Sequence, residues 1–166
     1  TLIIPPSYYK TSPGWTRTAT IRIKPSWQSG IYSIQTTAKK NGRTYDGATL
    51  FVIRNLNPGS TAKILWVVPT NTYQAYNNWG GTSLYWTSLP TSVYRTDTVV
   101  FNRPYSSVLG GVMAYDSLGQ FNEREWAWVQ WMESHNYAVE YCVDYDIDQI
   151  GFSLPANFLS GYRMII

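Results

Sequence analysis

Eight residues near the middle of the chain restrict its architecture more than any other stretch. Ala62-Lys63-Ile64-Leu65-Trp66-Val67-Val68-Pro69 is a nearly continuous apolar run closed by proline. A strand with one wet face alternates apolar and polar residues, whereas an unbroken apolar strand is covered on both faces, as in a parallel sheet flanked by helices. Such a strand needs neighbours and crossover connections, and the sequence beyond it reads as both. Thr70 to Gly81 is polar, aromatic and Gly-terminated, which predicts a loop past the carboxyl end of the strand, where open α/β sheets place their ligands. Asn122 is placed to cap a helix over Glu123 to Ser134, with acids in its first turn and Trp128, Trp131 and Met132 spaced as an apolar face. Tyr137 to Val143 reads as a second strand and Gly161 to Ile166 as a third, with a short helix between. That order is a parallel α/β order. Three strands make an incomplete parallel sheet, and the chain starts at Thr1 rather than Met, so the expectation is a processed product or a truncated piece of a longer chain.

Upstream the pattern changes. Thr20-Ile21-Arg22-Ile23-Lys24 alternates until Pro25, and Ile31 to Thr36 and Ala48 to Arg54 follow as strand candidates. Asn41-Gly42 between the last two is a hairpin signal, because both residues tolerate the positive φ of a tight turn. These strands predict an antiparallel β-sandwich segment over residues 1–57, followed by an α/β domain over 58–166, with the joint near Asn57-Pro58-Gly59-Ser60. Charge divides at about the same place: nine bases face only Asp46 in the first 63 residues, while four arginines face nine acids in the rest. The bases are scattered among Thr, Ser and turn residues, so a solvated strand face is preferred to a nucleic-acid surface.

Composition removes whole classes of function. With 44% hydrophobic and 14% charged residues over 166 positions the chain is globular, not disordered. One Cys and one His rule out an intrachain disulfide and any site needing two imidazoles. No apolar run approaches the roughly 18 residues of a membrane span, and no basic, apolar leader opens the sequence, so neither a membrane nor a targeting segment is expected.

Several chemical layouts fail on inspection. Ser117 lacks the glycine two residues earlier that a nucleophile elbow requires. Cys142 lies in an apolar strand and reads as a buried structural thiol, and His135 as a helix-end cation. Gly59, Gly80-Gly81 and Gly110-Gly111 do not form a phosphate loop. Asp144, Asp146 and Asp148 alternate like a calcium loop, but Gln149 stands at its sixth position and Pro155 at its twelfth, so they read as a solvated acidic strand end. The 8 Trp, 14 Tyr and 5 Phe leave open sugar stacking on Trp79, Tyr73 and Tyr85, while Trp126, Trp128 and Trp131 read as packing.

The stretch from Pro69 to Tyr85 is the most specific, because Tyr76 and Tyr85 bracket Asn77-Asn78-Trp79-Gly80-Gly81-Thr82-Ser83-Leu84. Together with Trp27-Gln28-Ser29-Gly30-Ile31-Tyr32, Leu50 to Arg54, Phe101-Asn102-Arg103-Pro104-Tyr105 and Trp131 to Asp148, it resembles the large subunit of N,N-dimethylformamidase and its relatives. The resemblance implies a sandwich ahead of an α/β domain similar to class I glutamine amidotransferases but without their cysteine. It also implies a mononuclear iron held by two tyrosines and a glutamate. By that resemblance Tyr76 and Tyr85 are metal ligands, a small amide is the substrate, and phenolate oxygens suit a hard trivalent iron acting as Lewis acid. The family's glutamate, with a neighbouring histidine, would follow the strand matching Tyr162 to Ile166. The 166 residues alone are therefore expected to lack amidase activity and to bind metal weakly, unless Asp116 or Asp146 supplies the carboxylate. The alternative is a non-catalytic binding or self-assembly module, associating with further copies or with the rest of the domain through unpaired strand edges.

Overall fold

The structure, a computed structural model, describes residues 9–12, 14–85, 95–105 and 121–166. The chain divides into two compact units, one made of residues 1–21 and 71–125 and the other of residues 22–70 and 126–166.

The second unit holds both sheets. β1 (Gly30–Lys40) and β2 (Arg43–Ile53) pair antiparallel in unbroken register from Gly30 opposite Ile53 to Lys40 opposite Arg43. Asn41 and Gly42 form the two-residue turn with φ of 51° and 73°, the mirror-image geometry that matches the right-handed twist of the strands. Trp27, Tyr32 and Phe51 stack at the root of the hairpin, with centroids 5.1 to 6.3 Å apart, while residues 35–40 and 43–46 are exposed. The expected strand at Thr20 to Lys24 does not form. No strand among the described residues pairs with it, and a lone extended segment leaves its backbone to water; Ile21 and Ile23 are exposed accordingly.

The apolar run becomes β3 (Ile64–Val68), the centre of a parallel sheet in the order β4-β3-β5. β4 (Val139–Val143) pairs along its whole length, and β5 (Met164–Ile165) is shorter than expected, although Ile166 extends the ladder through bonds to Leu65 and Val67. The described residues thus form a mixed α/β structure. Leu65, Cys142 and Phe158 make its core, joined by Val67, Ile147, Ile150, Leu154, Leu159 and Tyr162. The expected loop after Pro69 begins as a helix, α1 (Thr70–Tyr76). The long helix starts as a wide turn over Phe121–Glu125 and continues as α2 (Trp126–Ser134), so Asn122 lies inside the turn rather than capping it. On α2 the buried residues are Val129 and Met132, and Trp126, Trp128 and Trp131 face solvent. Asp144 to Asp148 form α3 (Asp144–Asp148), a short helix rather than a strand end. Two of its carboxylates take up backbone N–H groups at its start, Asp146 from Val143 and Asp144 from Tyr145.

One carboxylate organises the entry to this sheet. Glu140 on β4 pairs in register with Leu65 and is 0% exposed. Its Oε1 accepts bonds from Asn55 Nδ2 (2.9 Å), Thr61 N (2.8 Å), Thr61 Oγ1 (2.7 Å) and Ala62 N (3.0 Å). Its Oε2 accepts from Gly59 N (3.0 Å) and Tyr162 Oη (2.6 Å). Burial alone would raise its pKa; the bonds from Tyr162, Thr61 and Gly59 outweigh burial and hold it at about 2. The linker then closes against the last turn of chain. Gly59, at φ 72°, lies so near Gly161 that a Cβ would meet that backbone at 2.5 Å, and Lys63 Nζ donates to both carbonyls.

Replacing Glu140 by Ala strands several donors in the interior and is expected to cost on the order of 3–5 kcal/mol, read from the shift of the urea midpoint. Because its folded pKa lies below the ordinary 4.5, its contribution is complete above that value and is lost as pH falls toward about 2. Glu140→Gln should flatten the fall of unfolding free energy over this acid range; an unchanged slope would contradict the assignment.

Candidate site built around two tyrosines

The other unit carries the two tyrosines singled out by sequence. Tyr76 is the last residue of α1 and half-buried; Tyr85 is 55% exposed. Their rings stack with centroids 4.3 Å apart and planes 11° from parallel, although eight residues separate them along the chain. Burial of Tyr73 and Gln74 seats α1, and the chain then turns back. Leu84 N donates to Ala75 O (3.1 Å), Thr96 N to Ser83 O (3.1 Å) and Tyr85 N to Ser83 Oγ (3.1 Å). These bonds lay Tyr85 beside the end of the helix.

Asn77 is the hub of the returning turn. It is 0% exposed; its Nδ2 donates to Gln74 Oε1 (3.1 Å) and Pro104 O (2.8 Å), and its Oδ1 accepts from Trp79 N (3.0 Å). Arg103 reaches the same turn, with Nη1 donating to Trp79 O (2.9 Å) and Nη2 to Gln74 O (2.8 Å). Burial lowers its pKa to about 10. Near the start of the helix, Tyr73 Oη donates to Glu125 Oε2 (2.6 Å). Burial raises the pKa of Glu125, opposed by that bond and by the charge of Arg124.

The remaining candidates have structural partners. Tyr73 is 1% exposed, so its ring cannot stack a sugar; Trp79 packs edge-on against Trp15 at 5.8 Å. Asp146 accepts from Val143 N and pairs with Arg54 Nε at 3.3 Å, which commits it within the sheet unit. Asp144 takes a 2.6 Å bond from Thr70 Oγ1, tying together the carboxyl ends of β3 and β4. His135 follows α2, with Nδ1 2.8 Å from Trp131 O, in keeping with a helix-end role. Asp116, Ser117 and Gly110-Gly111 lie outside the described residues. Among the described residues no three His, Cys, Asp or Glu side chains gather as metal ligands, and no helix is long and apolar enough to cross a membrane.

Sequence reasoning missed Glu140, Glu125 and the positioning role of Asn77. Glu140 had a signal: a lone carboxylate inside Val139-Glu140-Tyr141-Cys142-Val143 must find donors when buried. Glu125 and Asn77 had none, since their partners are distant or main-chain.

The chain is thus a mixed α/β structure in which the rings of Tyr76 and Tyr85 lie stacked on one another. The comparisons identify the class. The family model described as N,N-dimethylformamidase beta subunit-like, C-terminal, matches residues 3–166, and the chain belongs to that family. No curated protein and no solved structure matches it.

Cys142 tests the exclusion of thiol chemistry. It is buried in β4, and its pKa is pushed up to about 12 by burial and by Asp146 and Asp144 against the pull of Arg54. A disulfide reagent at pH 8 should label it only as fast as the protein unfolds; rapid labelling of the native protein would overturn the structural reading.

Proposed function

We propose that these residues belong to a dimethylformamidase-like amidohydrolase in which Tyr76 and Tyr85 are two oxygen ligands of an iron ion. The observation that carries this reading is the 4.3 Å stacked pair. Two phenols at the ends of one stretch stack on each other, across a turn held by Asn77 and Arg103. The family description supports the reaction class. When bound, ferric iron supplies Lewis-acid polarisation of an amide carbonyl and of water.

The chain's own groups do the rest. Tyr76 and Tyr85 would offer hard oxygen donors; Asn77 and Arg103 hold the turn between them. Glu125 Oε2 accepts the Tyr73 hydroxyl bond in the same unit, with its pKa raised by burial against that bond and the charge of Arg124. In the same proposal residues 1–57 close a β-sandwich segment and 58–166 begin a domain similar to class I glutamine amidotransferases. An antiparallel hairpin followed along the chain by the parallel β4-β3-β5 sheet is the order of elements this reading expects, although both sheets lie in one compact unit. The substrate is a small amide. The family model describes beta subunit-like proteins, which supports association with other subunits.

The full-length protein should contain about one iron per chain, show a phenolate-to-ferric absorption band and hydrolyse small N-alkyl amides. Tyr76→Phe and Tyr85→Phe should each weaken the band and lower kcat by at least about 100-fold, since even outer partners of a ligand are worth 10–100-fold. An iron-free active protein, or variants with full activity, would overturn the proposal.

A further inference from the structure

Arg103 is a buried cation in an odd setting. It is 7% exposed, and among the described residues no carboxylate forms an ion pair with it and its Nε has no hydrogen-bond partner. A guanidinium taken out of water without a counter-ion is expensive, and an apolar residue of similar volume would ordinarily serve stability as well or better. The two bonds it does make are therefore informative. Nη1 and Nη2 reach the carbonyls of Trp79 and Gln74, which bracket Tyr76 in the chain. Gln74 O belongs to the last turn of α1 and also accepts Asn77 N at 3.3 Å, so the guanidinium adds a second, shorter bond to a carbonyl at the end of the helix, where a cation complements the dipole. The planar fork sets the spacing between the helix end and the turn after it, a task the single nitrogen of a lysine cannot do. Pro104, the next residue, takes the Asn77 side chain on its carbonyl, so Arg103-Pro104 grips the turn in both directions, as donor and as acceptor.

We propose that Arg103 is a positioning residue for the tyrosine pair. Its guanidinium straps the end of α1 to the returning turn and thereby fixes Tyr76 against Tyr85 before any metal arrives. This rests on reading the two tyrosines as a ligand pair, and it explains why a cation is kept where burial disfavours it: the strap purchases geometry rather than stability.

The test compares the full-length protein with Arg103→Lys and Arg103→Met, using amide hydrogen exchange without metal and the ferric absorption band with it. Losing one charge-assisted bond should raise exchange about ten-fold or more across residues 77–85, with β3 and β4 unchanged. The same variants should bind ferric ion at least about ten-fold more weakly. Guanidinium ion added to Arg103→Ala should restore both readouts in part. Exchange that stays at the wild-type level in 77–85, or that rises equally in the sheet, would show that Arg103 is not a strap and overturn the proposal. Should Arg103→Met fail to fold, Arg103→Lys carries the comparison alone. A wild-type protein without a ferric band would defeat the metal reading, whereas the exchange data would still decide whether Arg103 holds the pair.

Discussion

The sheet unit depends on a single buried charge. Glu140 sits where β4 begins, out of contact with water, and six donors converge on its two oxygens. Four come from Gly59, Thr61 and Ala62, the last residues before β3, so the carboxylate dictates the path by which the chain leaves the hairpin and enters the central strand. A fifth comes from Asn55, two residues beyond β2, and the sixth from Tyr162, just before β5. Elements far apart in sequence are thus set by one group. The same contacts raise the pKa of Tyr162, through burial first and then through its bond to Glu140, so its hydroxyl remains a donor throughout the neutral range.

The tyrosine-bearing unit uses the complementary device. Its buried charge is positive, and the partners of Arg103 are main-chain carbonyls, as half of the donors to Glu140 are main-chain N–H groups. In both cases the charge binds backbone groups at the ends of regular elements or in the turns beside them. Loops rather than helices or strands are what each charge holds in place, and loops carry function when something rigid fixes them. In the sheet unit the fixed loop defines architecture. In the other it carries two phenols, and this difference separates a structural buried charge from one with a part in the proposed chemistry.

The parts of the fold legible in sequence are those governed by periodicity and local backbone chemistry. The unbroken apolar run marks β3 as a central parallel strand, and Asn41-Gly42 marks the hairpin, because each signal is complete within a few residues. Thr20 to Lys24 has the correct alternation and still forms no strand, since a strand is defined by a neighbour that alternation cannot supply. Trp126, Trp128 and Trp131 misled for another reason. Their size suggests burial, yet Val129 and Met132 occupy the inner face of α2 and leave the indoles outside. Asp144, Asp146 and Asp148 resemble a strand end until Asp144 and Asp146 are seen to satisfy the first N–H groups of a helix. For the site, resemblance to a family singled out Tyr76 and Tyr85, but their juxtaposition comes from Ala75, Ser83 and Thr96, which carry no chemical signature. Arg103 and Asn77 stand in stretches that carry the family resemblance, but what they hold in place is not legible there, because most of what they bind is backbone.

The central claim is that Tyr76 and Tyr85 act as one preformed pair of oxygen donors. The most direct measurement is a crystal structure of the ferric-loaded full-length protein, with diffraction recorded on both sides of the iron absorption edge. The account predicts a single strong anomalous peak within bonding distance of both phenol oxygens, with the α1 turn placed as it is in the metal-free protein. A peak bound to neither tyrosine, or a turn that rearranges to bring them together only when iron binds, would contradict it.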